Sequence, residues 1–306
     1  MLALKRGTRA NLASSHEKYE GFSRGLTLHA AYGSEIGCKS APTLDWKVNY
    51  VNVAVTLNAF HIILLILGGL GAGIFNGVAG GGSLISFPLL LGLGFPALTA
   101  NLTNTVGIWP GYLGSAAGFR TQIADQREQM VRLSPVAVSG AIVGAILLLT
   151  TSSATFRTLA PWLVLAASLL FSVQPLLRRA LQKSESDATP TRPVLLVGGT
   201  FLASVYGGYF GAGLGVMLLA ILGLALPDTI ARSSGLRTVL SIMVNGVAAL
   251  VFMIHGGLAW AAAGYLALGA LVGGWVGARL ALAISPTALR IVVVAIGLGT
   301  TIKLLA

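Results

Sequence analysis

Charge is what this sequence has least of. Only 9% of its 306 residues are Asp, Glu, Lys or Arg, while 55% are hydrophobic. A soluble domain carries about a quarter charged residues. So sparse a set cannot clothe a water-facing surface, which excludes a soluble globular domain and leaves a polytopic membrane protein. A single cysteine, Cys38, excludes an internal disulfide and gives no metal-ligand spacing. No acidic residue lies within an apolar run; Asp228 stands at the edge of one. A carboxylate cation site or proton relay inside the membrane therefore has no candidate. The absence of a Walker motif excludes direct ATP hydrolysis. No cofactor is implied.

What the sequence has in abundance is apolar length. A helix crossing the hydrocarbon needs about 20 apolar residues, so residues 51–306 have room for roughly eight to ten crossings. The net charge of +11 is not gathered into a nucleic-acid patch. Much of it sits in connections between apolar runs, where basic residues report topology. Residues 1–50 form a polar stretch expected to be a disordered extension. Lys5, Arg6 and Arg9 are followed by no apolar core, so it does not read as a secretory signal.

Apolar runs fall at about 53–78, 84–94, 97–119, 133–150 and 159–177. A polar connection, 178–192, follows, and the pattern restarts at 194–210, 216–226, 236–254, 259–284 and 288–306. The restart is a repeat. At an offset of 131 residues Gly77, Gly80 and Gly82 fall on Gly208, Gly211 and Gly213, Pro96 on Pro227, Ala100 on Ala231, and Thr103 on Ser234. "SSATFR" and "SPTALR" then bring Arg157 near Arg290. The expected organisation is a first transmembrane repeat over 51–177, a cytoplasmic linker over 178–192 and a second repeat over 193–306. Repeated halves of this kind are the usual plan of secondary transporters.

The charges also orient the halves. Arg120–Arg132 and Arg178–Arg192 are rich in arginine and lysine, which places both connections in the cytoplasm. The second-half counterpart of the first loop, "MIHGGLA", has neither Lys nor Arg, whereas Arg279 and Arg290 flank the next turn. Equivalent loops then face opposite sides, so the repeats are inverted. The fold class expected is all-α, with broken or short helices near the midplane.

The breaks carry the candidate chemistry. Gly80, Gly81 and Gly82 permit backbone angles closed to other residues, and the run after them covers only half the hydrocarbon. Broken backbone cannot face lipid and must lie in protein or line a cavity. Helix N-termini at Gly80–Ser83 and at Gly211–Leu214 would offer N–H groups to an anion; the same glycines could instead serve only close helix packing. A polar cluster follows each break: "NLTNT", with Thr103 and Asn104, and "RSSGLR", with Ser233, Ser234 and Arg237. Arg237 is a forked oxyanion partner; Arg232 shares that reading, and either could instead snorkel to the interface. Asn245 and Asn76 could face the pathway or bridge helices.

Two segments, "GIFNGVAGGGSLISFPLLLGLG" with "ANLTNT", and "YGGYFGAGLGVMLLAILGL" with "RSSGLRTVLSIMVNGVAALVF", resemble the two copies of the sulfite exporter TauE/SafE family, over Phe60 to the C-terminus. The resemblance implies an integral inner-membrane permease for small sulfur-containing or organic anions. It carries over to Gly80, Gly81, Gly82, Ser83, Thr103, Asn104, Gly211, Gly213, Ser233, Ser234 and Asn245, with Arg237 standing where a basic or polar residue suits. The partners implied are a small anionic substrate and the lipid bilayer, with no nucleic acid. The expected function is anion transport by alternating access, one repeat rocking against the other. Alternatives are an anion channel, and an intramembrane hydrolase built on Ser83 and His255.

Overall fold

The computed structural model describes residues 57–186, 192–226, 228–281 and 287–305. The stretch 1–50, the 187–191 part of the linker, and Pro227 lie outside the described residues. The described residues form eleven helices and no strand: α1 Ala59–Val78, α2 Ser83–Gly92, α3 Ala97–Gly118, α4 Arg120–Ala124, α5 Arg127–Thr150, α6 Ser153–Ser186, α7 Pro193–Tyr209, α8 Leu214–Ala225, α9 Ile230–His255, α10 Trp260–Ala281 and α11 Thr287–Leu305. The protein is an all-α polytopic membrane protein. α1, α5, α9, α10 and the Ser153–Gln174 part of α6 are long and apolar enough to cross a membrane. α3 has the length, at 22 residues, but Asn101, Thr103, Asn104 and Thr105 dilute its apolar character. Leu67, Ile146, Leu202, Leu250 and Leu268 lie exposed on the outside, a surface suited to lipid and too apolar for water.

The expected break before α2 is present, but the chain reverses there instead of continuing. α2 folds back along α1. A Cβ on Gly82 would strike the Ala72 carbonyl, one on Gly71 would touch Ile85, and one on Gly68 would strike the Leu89 side chain. α2 is stopped at Gly94, φ +89°, where the Phe95 N–H reaches back to the Leu90 carbonyl (3.1 Å), a cap that favours glycine. α7 and α8 make a second hairpin, closed at its base by the Arg192 N–H donating to the Ala225 carbonyl (3.1 Å).

The hairpins enter from opposite ends of the bundle. α3 and α9 fix this, because they run antiparallel. Gln126 Nε2 donates to the Arg232 carbonyl at one end (2.8 Å). Trp109 Nε1 meets the Ile242 carbonyl in the middle (3.1 Å). The Ala259 N–H meets Thr103 Oγ1 at the other end (2.9 Å). α2 leads into α3 at the Ala259 end, and α8 leads into α9 at the Arg232 end.

Glycine seams lock each hairpin in place. Along α1, Gly69 faces the Leu266 carbonyl, Gly73 the Ala270 carbonyl and Gly77 the Ala278 N; along α10, Gly269, Gly273 and Gly277 face Ile66, Leu70 and Ile74 carbonyls in return. No side chain fits between the two backbones. α7 packs in the same manner on α5, with Gly140 and Gly144 facing the Phe201 and Val205 carbonyls. Small residues allow such approach, and dispersion at close range is what holds helices together in lipid. Two stretches read as connections are partly helical. α6 continues through Arg178 to Ser186, and Arg120–Arg132 forms α4 and the first turn of α5.

Candidate functional site

The two hairpin tips have the same local design. At the first, the N–H groups of Ala79 and Gly80 both reach the Phe75 carbonyl (2.8 and 3.0 Å); at the second, those of Phe210 and Gly211 both reach the Tyr206 carbonyl (2.9 and 3.4 Å). Gly80 then turns at φ +83° and Gly211 at φ +79°, a region that disfavours any residue with a Cβ. The tips touch. The Gly215 N–H donates to the Gly80 carbonyl at 3.1 Å, and a Cβ on Gly80 would lie 2.6 Å from Gly215 Cα.

A helix start leaves its first N–H groups without intrahelical partners. Two of those in question are taken by protein: that of Gly215 by Gly80, and that of Gly82 by Asn76 Oδ1 (2.6 Å). In this conformation the tips therefore close on each other.

Arg237 of α9 is inserted beside this contact. It is only 1% exposed, and it is the one charged side chain among the buried described residues. Its Nη2 donates to the Gly77 carbonyl (3.0 Å), and its Nη1 lies 2.7 Å from where a Gly80 Cβ would stand. The guanidinium thus meets the C-terminal end of α1, where helix carbonyls concentrate negative potential. Tyr112 of α3 is buried and lies beside Asn76, Asn245 and the Arg237 guanidinium. Asn245 donates Nδ2 to the Ser241 carbonyl (3.0 Å), which leaves Oδ1 turned toward Gly211. Asn76, Gly80, Tyr112, Gly211, Arg237 and Asn245 are therefore gathered from both hairpins and from α3 and α9.

The other expected residues are distributed more widely. Gly82 heads α2, and Gly81 leaves room for the Phe171 ring. Ser83, the first residue of α2, is buried. Gly213, φ +84°, heads α8. Asn104 is tied to the first hairpin through the Ser86 hydroxyl, which also reaches the Gly82 carbonyl. Thr103 instead serves the Ala259 N–H at one end of the bundle. Ser233 and Ser234 sit in the early turns of α9, next to Arg232 and on the end held by Gln126. Arg232 itself pairs with Asp228 (2.8 Å) at a cavity of about 470 Å³ lined also by Glu128 and Arg132. His255 ends α9, five turns beyond Arg237, so Ser83 and His255 do not make a nucleophile and base.

Three residues were not among the expected site: Tyr112, Asn101, which donates to the Tyr209 carbonyl (3.0 Å), and Gln174, whose Nε2 approaches the Ala79 carbonyl (3.5 Å). For Asn101 and Gln174 the available signal was a polar side chain within an apolar run.

The profile of one family, described as sulfite exporter TauE/SafE, matches residues 65–304. The chain belongs to this family. Family relatives are described as transporters. One is a "probable membrane transporter protein" of Haemophilus influenzae, 28% identical over 250 residues, which cover 79% of this chain and 94% of that one. Another is a "probable membrane transporter protein ORF9" of a Sinorhizobium species, 26% identical over 250 residues, covering 81% and 94%. A third is YfcA of Escherichia coli K12, also a "probable membrane transporter protein", 25% identical over 235 residues, covering 76% and 86%. No solved structure gives a significant match. Family membership makes the protein an integral membrane transporter and not an enzyme, which removes the hydrolase reading.

Proposed function

We propose that the protein carries a small oxyanion, of the sulfite, sulfonate or related organic-anion class, across the inner membrane by alternating access at the hairpin tips. The supporting observation is the meeting of two hairpins from opposite ends at Gly80 and Gly215, with the buried Arg237 beside them. A guanidinium in such a place is a functional group by default, and its fork suits an oxyanion.

In this reading residues 51–177 and 193–306 are inverted repeats joined by a cytoplasmic linker over 178–192. Exchange of halves turns the α1–α10 seam into the α7–α5 seam, and both are glycine-lined, which supports the repeat. Each hairpin is therefore locked to a helix of the other half. The bodies that rock are composite, one containing α1, α2, α3 and α10, the other α5, α7, α8 and α9. A whole repeat cannot move as a unit without opening both seams.

The test is thermal unfolding of the detergent-purified protein with sulfite, thiosulfate, sulfoacetate and small carboxylates, since a ligand bound to the native state raises apparent stability. Saturable counterflow of the hit into proteoliposomes is expected, together with loss of the thermal shift in Arg237→Ala. Unitary conductance without saturation would instead establish a channel. Equal shifts in wild type and Arg237→Ala would remove Arg237 from the site.

A further inference from the structure

The end of the bundle that carries Arg232 holds the cavity of about 470 Å³, away from the hairpin tips. Two carboxylates, Glu128 and Asp228, and two guanidiniums, Arg132 and Arg232, line it. Asp228 and Arg232 pair with each other (2.8 Å). Glu128 and Arg132 stand one turn apart on α5 and make no ion pair among the described residues. The same cavity is lined by Leu133, Leu196 and Leu226, all buried. Nothing in the fold requires this opening. The residues 131 positions away from Glu128, Arg132, Leu196 and Leu226 are Ala259, Ala263, Leu65 and Phe95, and all four lie in or against one apolar core.

We infer that this cavity seats the headgroup of a zwitterionic phospholipid, a phosphate joined by a short linker to an ammonium, with Arg132 and Arg232 holding the phosphate and Glu128 the ammonium. Charge disfavours simpler ligands. A bare anion would meet Glu128 and Asp228, and a bare cation would meet Arg132 and Arg232. A ligand with both signs sets each beside its opposite, and the guanidinium fork suits phosphate oxygens. Depth points to a lipid. α5 is long and apolar enough to cross a membrane, and Arg132 is its last charged residue. The charged wall therefore lies at headgroup level, and the leucines lie at the edge of the hydrocarbon, where acyl chains begin. The lining comes from α5, from both limbs of the second hairpin at its base, and from the start of α9. A seated lipid braces the base of that hairpin.

The experiment is native mass spectrometry of the delipidated, detergent-purified protein, titrated with dioleoyl phosphatidylethanolamine or dioleoyl phosphatidylglycerol. The second lipid keeps the phosphate and replaces the ammonium with a glycerol. The first molecule of phosphatidylethanolamine is expected to bind at least fivefold more tightly than phosphatidylglycerol. Glu128→Gln removes the partner of the ammonium and should bring that ratio close to one. Arg132→Gln removes a partner of the phosphate and should weaken both lipids at least threefold. Both positions are exposed, so the variants are expected to fold, with unfolding temperatures close to wild type. Equal affinity for the two lipids in wild type, or an unchanged ratio in Glu128→Gln, would overturn the zwitterion assignment. Phosphatidylethanolamine affinity unchanged in both variants would overturn the lipid site. Calorimetric titration with free O-phosphoethanolamine separates the two sources of this headgroup. If it binds, loses binding in Arg132→Gln, and lipid affinity is unmoved by either variant, the ligand is a soluble zwitterion and the lipid assignment falls.

Discussion

Gly80→Ala tests the tip contact most directly. Two separable effects are expected. Holding alanine at φ +83° costs about 1–2 kcal/mol. The new methyl would also lie 2.6 Å from Gly215 Cα and 3.0 Å from its carbonyl carbon, and these are backbone atoms that cannot rotate aside. Overpacking of this kind costs about 1–3 kcal/mol, and separating the tips to relieve it breaks the Gly215–Gly80 hydrogen bond, worth about 0.5–1.5 kcal/mol. Gly94→Ala is the control. Gly94 has φ +89° but nothing within 4 Å of the added Cβ, so it reports backbone strain alone. The expected excess for Gly80→Ala is about 2–4 kcal/mol, a fall in unfolding temperature on the order of 10 °C beyond the control. Tryptophan fluorescence during heating measures it, and counterflow in proteoliposomes should fall by at least tenfold. Equal melting and equal transport in the two variants would refute the direct contact between hairpins.

Three further outcomes are expected. Gly273→Ala places a methyl against the Leu70 carbonyl and should lower stability by about 1–3 kcal/mol, whereas Gly264→Ala, with open space around it, should raise it by about 0.5–1 kcal/mol; paired melting curves check both. Gly81→Ala should be defective because its methyl meets the Phe171 ring, and Phe171→Ala added to it should restore part of the unfolding temperature. Arg232→Ala removes a partly exposed pair with Asp228 and should shift stability by less than about 1 kcal/mol, with sulfite binding, measured by titration, retained.

The sequence made the breaks legible because a glycine triplet inside an apolar run has few other uses, and the offset of 131 named the second one. It could not give the reversal. Gly80 permits a turn in any direction; the direction is set by α10, which meets α1 along its length from a distant part of the chain. The polar cluster of α3 was legible as a cluster but not as a site. Successive helical residues are about 100° apart, so Asn101, Thr103 and Asn104 point to Tyr209, Ala259 and Ser86 respectively. Arg237 was visible as a cation at the start of an apolar run. Its depth came from the hairpin tip that covers it. Tyr112 gave no signal, since a tyrosine in a membrane helix is common at interfaces and only its neighbours distinguish it.

The seam between α1 and α10 bears on how the chain is made. The two helices are separated by some two hundred residues, and neither can shield its bare peptide face with side chains of its own. At roughly 5–20 residues per second during synthesis, the first hairpin waits on the order of 10–40 s after emerging before its partner exists. In that interval it needs lipid, the insertion machinery or a temporary neighbour against its glycine stripe. A chain truncated before Trp260 should therefore be retained by that machinery or degraded, even though every residue of the first hairpin is present.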